Sequence, residues 1–251
     1  MNKVKLLQAF SVAVVLVSFI MGFYVFPLLP AVVPVHWDAA GNVNGTGPAW
    51  MGAFLLPAIL AIIVGFFFLI PRIEVYKENL RRFEKSYWLF VSGFSVIFLA
   101  IFLLTLAPNF GYAPDMSVAI MGLVSVLLIF TGMLLPSFRR NYFLGVRTPW
   151  ALADERVWDK THVFAGKAFI FAGLILFVSS LFPKFMFWGI IALVLVLALG
   201  TFGYSYWVYS KLPKSAAKAA PTVPVAKSAA KIASKRKHVK TPATKRKKRR
   251  N

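Results

Sequence analysis

The 251-residue sequence contains no cysteine, which excludes disulfide staples, thiolate nucleophiles and cysteine-ligated zinc. Histidine is nearly as scarce: His36, His162 and His238 are the only three, and the topology derived below separates them too widely for one shared site. Eight acids stand against 29 bases. None of the eight falls in the middle of an apolar run, which counts against a proton-coupled pump. Also missing are GxSxG, HExxH and a glycine-rich phosphate cradle. The expectation is a protein that is not an enzyme, with no catalytic residue, no cofactor and no metal.

What is abundant is apolar surface. With 59% hydrophobic residues, a chain of this length cannot hide its oil in one water-soluble core. Six runs, Leu6 to Leu29, Met51 to Ile70, Tyr87 to Ala107, Met116 to Leu135, Val163 to Phe182 and Phe185 to Ser210, are each about 20 residues or more. Helices of that length cross a ~30 Å hydrocarbon layer. The expected fold class is all-α: a polytopic membrane protein with six transmembrane helices and a basic C-terminal tail. The first run begins with Lys3 and Lys5 but has no small-residue cleavage site, so it reads as an uncleaved anchor.

Positive charge sets the orientation. Lys and Arg cluster at the N-terminus, between runs two and three, between runs four and five, and after run six; only Lys184 sits between runs five and six. The positive-inside rule then predicts a multi-pass protein of the cell membrane with both termini cytoplasmic. The loops at 30–50, 108–115 and 183–184 face outward.

The first outer loop, LPAVVPVHWDAAGNVNGTGPAW, carries prolines in its first half and Asp, Asn and Gly in its second, so it is ordered by turns. Asp38, Asn42 and Asn44 have too little charge and the wrong spacing for calcium. Asn44-Gly45-Thr46 is a glycosylation acceptor. His36-Trp37 reads either as an interfacial aromatic pair seated on lipid headgroups or as the receiver of an extracellular ligand.

Inside, Ile73, Tyr76, Leu80 and Phe83 recur at helical spacing, with Glu78 facing Arg81 and Arg82, which predicts a helix with one apolar side. In YFLGVRTPWALADERVWDKTHVFAGK, Thr148 can cap a helix whose first residue is Pro149. Trp150, Asp154, Trp158 and His162 then form one i, i+4 stripe, and Arg156 can pair with Asp159. The same stretch also reads as an interfacial helix with an aromatic belt and surface ion pairs. Gly65, Gly93, Gly122, Gly132, Gly173 and Gly189 offer small-residue contact points between helices.

GVRTPWALADERVWDKTHVFAGK resembles the signature of the SdpI family of six-helix membrane proteins, and PVHWDAAGNVNG resembles the P-x-H-W-x-x-x-G element of that family's N-terminal, DUF1648-type domain. The resemblance covers about residues 1–210. It implies a DUF1648-like region at 1–70 and an SdpI-like membrane domain at 71–210. It further implies an immunity protein that protects a producing cell from a membrane-active toxin peptide, and for some members signalling by recruiting a cytoplasmic repressor. The motif positions it carries over for ligand or partner binding are Pro34, His36, Trp37 and Gly41 outside, with Gly145, Arg147, Thr148, Pro149, Trp150, Trp158, Thr161, His162 and Gly166 inside.

The segment 211–251 departs from the family pattern. It has fifteen bases, no acid and no aromatic residue, and KSAAKAA at 214–220 returns as KSAAKIA at 227–233. Such a composition predicts disorder. Lys235, Arg236, Lys237, Lys245, Arg246, Lys247, Lys248, Arg249 and Arg250 can contact anionic lipid at about 1 kcal/mol per charge, or nucleic-acid phosphates. Two other readings stay open: a membrane tether for that basic tail, and a transporter gated by the polar loops.

Overall fold

The computed structural model describes residues 2–213, with the side chains of 183–188 excepted. The basic tail positions from Lys235 to Arg250 lie outside the described residues.

The chain opens with helix α1 (Lys3–Val25), capped by the Asn2 side chain. An antiparallel hairpin follows, β1 (Val32–Trp37) and β2 (Val43–Pro48), and leads directly into α2 (Ala49–Ile73). A short α3 (Lys77–Arg82) precedes α4 (Glu84–Leu106), and α5 (Met116–Leu134) is capped by Asp115. The remaining elements are α6 (Pro149–Ala153), α7 (Glu155–Ser179) and α8 (Pro183–Ser210). Six of these helices are long and apolar enough to cross a membrane. Their outward faces present Phe23, Ile62 and Leu199, each about 70% exposed at 69%, 72% and 69%. Apolar exposure on that scale requires lipid around it, and the protein is a multi-pass membrane protein.

Small residues make the helix contacts, as expected where lipid removes the hydrophobic drive for association. On α1 the buried face is Ser11, Val14, Ser18, Gly22 and Val25, and Ser11 meets Ser92 of α4 with 3.1 Å between hydroxyl oxygens. The most extensively packed pair is α5 with α7. A Cβ on Gly132 would lie 2.7 Å from the Gly166 carbonyl, and one on Gly173 would lie 2.8 Å from the Ser125 carbonyl. Gly93 is likewise filled, by the Phe130 ring. Gly65, Gly122 and Gly189 have nothing within 4 Å among the described residues, so these are not the contact points their sequence positions suggested.

The outer loop is ordered by its turn as expected, and two helix expectations need correction. The outer loop is a β-hairpin, with Val33 fully buried and register irregularities around His36. Pro34, lacking an N–H, sits beside that irregularity. The helix predicted through Ile73, Tyr76, Leu80 and Phe83 is broken: α2 ends at Ile73, Glu74 is extended, and only Leu80 on the separate α3 and Phe83 just after it turn inward. The stripe from Trp150 to His162 is also not one helix. Asp154 adopts φ −139° and ψ 128°, terminating α6, and its carboxylate accepts the Arg156 N–H at 2.8 Å to start α7. A local side-chain cap competes with helix continuation here, and the cap wins. Consequently Arg156 pairs with Asp154 at 2.7 Å, and Asp159 pairs with Arg139 at 3.3 Å.

Candidate functional site

The sequence motifs resolve into two assemblies. At the hairpin end of the bundle, β1 roofs a cavity of about 400 Å³. Pro34, His36 and Trp37 line the roof, and Leu56, Ile101 and Met121 contribute walls from α2, α4 and α5. The roof is held by its turn. Asp38 accepts the Ala40 and Asn42 N–H groups at 2.9 Å each, and the Asn42 N–H in particular holds the Asp38 carboxyl below the usual carboxylate range. Gly41 occupies φ +84°, and a Cβ there would stand 2.8 Å from the Ser117 Oγ. The glycine therefore lets the turn settle on α5, where the Ser117 hydroxyl donates to the Ala39 carbonyl at 3.0 Å. His36 Nδ1 meets the Asn44 side-chain oxygen at 2.5 Å, which leaves the imidazole paired with the opposite strand.

At the other end, the segment after α5 folds onto α7. His162 is fully buried and stacks on Trp158, with 4.0 Å between ring centroids. Its Nε2 accepts the Val146 N–H at 3.1 Å, and its Nδ1 lies 2.9 Å from the Trp158 carbonyl. A carbonyl only accepts, so Nδ1 carries the proton and the ring is a neutral imidazole with both nitrogens used. Gly145, at φ +96°, is required beside it, because any Cβ would enter the His162 ring. Trp158 donates its indole N–H to the Phe138 carbonyl at 2.7 Å. Thr148 caps α6 by accepting the Ala151 N–H at 3.1 Å and meets Ser205 of α8, hydroxyl to hydroxyl. Trp150 packs edge-on to Phe202 of α8 at 4.8 Å. Gly166 faces Gly132 and Pro136, and the buried Thr161 hydroxyl has no partner among the described residues.

These motif residues are thus mostly interior. Gly145, Arg147 and Pro149 are exposed, and the Arg147 guanidinium donates to the Tyr142 carbonyl at 2.6 Å. The structure brings Gly145, Trp158 and His162 together and holds Arg147 apart from them on the surface.

Sequence reasoning missed the brace that ties this assembly to α2. Glu74 is buried, and its two carboxylate oxygens accept the N–H groups of Tyr76 at 2.8 Å and Tyr142 at 3.0 Å. The Tyr76 and Tyr142 rings stack at 5.3 Å, and the Arg140 guanidinium lies 4.8 Å over Tyr76. Burial pushes the Tyr76 phenol up from its ordinary value. Arg140 also donates to the Leu152 and Ala153 carbonyls at 3.3 and 3.5 Å, satisfying the end of α6. Asn141 orders the intervening turn by accepting from Phe143 and Leu144 at 2.8 and 2.6 Å. An acid four residues past the second apolar run was the available signal for Glu74.

Comparison with known proteins is consistent with this geometry. The SdpI/YfhL protein family model matches residues 137–205, the span from the Asn141 turn through α7 and most of α8. A domain of unknown function, DUF1648, matches residues 13–61, which contain the hairpin. Immunity protein SdpI of Bacillus subtilis (strain 168) is 27% identical over 208 residues, covering 80% of this chain and 95% of that protein. No solved structure matches. With both matched regions in one six-helix bundle, this multi-pass membrane protein resembles the SdpI/YfhL family over its C-terminal helices and DUF1648 over its N-terminal ones.

Proposed function

We propose that this protein is an immunity protein that protects its cell from a membrane-active toxin peptide. The observation that carries the reading is the P-x-H-W hairpin, which roofs an apolar cavity in a chain matching a protein named for immunity across 95% of that protein's length. In this proposal both termini are cytoplasmic and the hairpin faces outward, because Lys and Arg are absent between Lys5 and Arg72 and between Lys85 and Arg139. Residues 1–70 form the receiving region, and 71–210 form the membrane domain that contains the Glu74, Arg140 and His162 brace.

Helix α2 joins the two, since it begins at the cavity and ends at Glu74. Toxin that binds two arrangements of α2 unequally would shift the brace, whereas equal affinity for both would shift nothing. The exposed Arg147 then offers the contact for a cytoplasmic partner such as a repressor. The basic tail gives specific support to a second reading, a membrane tether for anionic lipid or nucleic acid.

Membrane potential in sensitive cells decides between them. The cells would express the full chain, a chain lacking 214–251, or the His36→Ala/Trp37→Ala variant, and meet a depolarising toxin peptide. Protection that survives tail removal and fails in the hairpin variant is expected. Protection that vanishes with the tail would support the tether, and protection unaffected by the hairpin variant would sink the hairpin's role.

A further inference from the structure

From the cavity's shape and charge we infer that its occupant is the apolar face of a cationic amphipathic peptide, with two or three large side chains buried beneath the hairpin and basic groups at its lip. The inference rests on the immunity reading and gives its ligand a chemical class.

The volume is the first constraint. About 400 Å³ falls at the low end of ordinary ligand pockets, roughly 300–1,000 Å³, and suits a few side chains but not a whole helix. The lining is the second. Met51, Met116 and Met121 all contribute to the wall. Flexible, polarisable methionine is suited to irregular apolar surfaces that differ from one peptide to the next.

Charge distinguishes a peptide from a phospholipid. Asp38 lines the cavity, and Asp115 stands beside the hairpin tip, its carboxylate oxygen 3.5 Å from where a Gly41 Cβ would be. Both carboxylates also serve their own turns: Asp38 holds the hairpin and Asp115 caps α5. Among the described residues no Lys or Arg lines the cavity, and Lys184 is the only lysine or arginine in the sequence of the segments at this end. A phosphate headgroup would meet two carboxylates and no cation among the described lining residues, whereas lysines of an amphipathic peptide would meet complementary charge.

The natural absence of cysteine makes the test direct. Ile120→Cys places a thiol in the cavity wall, and Leu103→Cys places one on the 42% exposed face of α4 as a control. Leu56→Cys is a second wall position should Ile120→Cys misfold. Each full-length variant, in phosphatidylcholine nanodiscs, is titrated with N-ethylmaleimide and a synthetic Leu/Phe/Lys amphipathic peptide. At about ten times its dissociation constant the peptide should slow modification of the wall cysteine about tenfold, by occupancy, and leave the control unchanged. Asp38→Asn with Asp115→Asn should weaken the peptide about two- to fivefold per carboxylate, and a glutamate-for-lysine peptide should not protect. Equal protection by lauric acid, insensitive to the Asn pair, would make the cavity a lipid site and overturn the inference. So would no protection by any probe. Because no toxin or cell is involved, binding can succeed while cell protection fails, which would retire the immunity reading alone.

Discussion

His162 and Gly145 act as one unit. The imidazole uses both nitrogens on backbone groups, and the glycine provides the space for its ring. Gly145→Ala therefore meets two penalties, about 1–3 kcal/mol of left-handed backbone strain and a collision with the ring. We expect a clear drop in melting temperature in detergent; an unchanged melt would mean the loop is free to move away. His162→Phe keeps the stack on Trp158 and leaves the Val146 N–H without its acceptor, a loss of about 1–3 kcal/mol read by the same melt. Asp38 gives a pH prediction. Its carboxyl is held below the ordinary range by the Asn42 N–H, so the charged form stabilises the folded turn at neutral pH. That contribution is lost as pH falls through the folded value. Amide exchange at Asn42 should accelerate more as pH falls below about 4, the ordinary Asp value, than intrinsic exchange chemistry predicts. Asp38→Asn should remove that excess.

At the scale of elements, the α5–α7 contact is the one that small residues build. Gly132→Leu must push the Gly166 carbonyl and the Ile170 side chain away, which should cost about 1–3 kcal/mol by overpacking. Gly65→Leu enters open space and should change the melt by less than about 0.5 kcal/mol. Comparable losses at both positions would mean that α2 packs against something outside this single chain. The sequence offered both glycines alike, because an apolar helix does not reveal which face meets protein and which meets lipid. The start of α6 was legible, since Thr148-Pro149 is a local capping signal. Its end was not, because Asp154 fits an i, i+4 stripe as well as it fits a cap.

For the whole molecule, residues 1–212 form a compact unit with their own core. Removal of 214–251 should therefore leave the melting temperature of the membrane unit unchanged; a shift of several degrees would show that the tail stabilises it. The Glu74 brace connects α2 to the segment between α5 and α6 across 68 residues of sequence. Glu74→Ala removes the acceptor of two partly buried N–H groups and should destabilise by roughly 1–3 kcal/mol, while retaining membrane insertion, which depends on the apolar runs. Protease access to the 138–148 segment in inverted vesicles would separate the two effects.

Hydropathy alone determined the class and the six crossing helices, because a run of about 20 apolar residues has few alternatives. The two motifs, quoted residue by residue, also pointed to the two family models that match parts of the chain. Only the tertiary structure decided that Trp158, Thr161 and His162 are interior, that the P-x-H-W loop is a hairpin with a cavity beneath it, and that Glu74 and Arg140 belong to the second assembly. Each depends on contacts between residues far apart in the chain, and the pattern that marks a helix as apolar does not encode which neighbour will cover it.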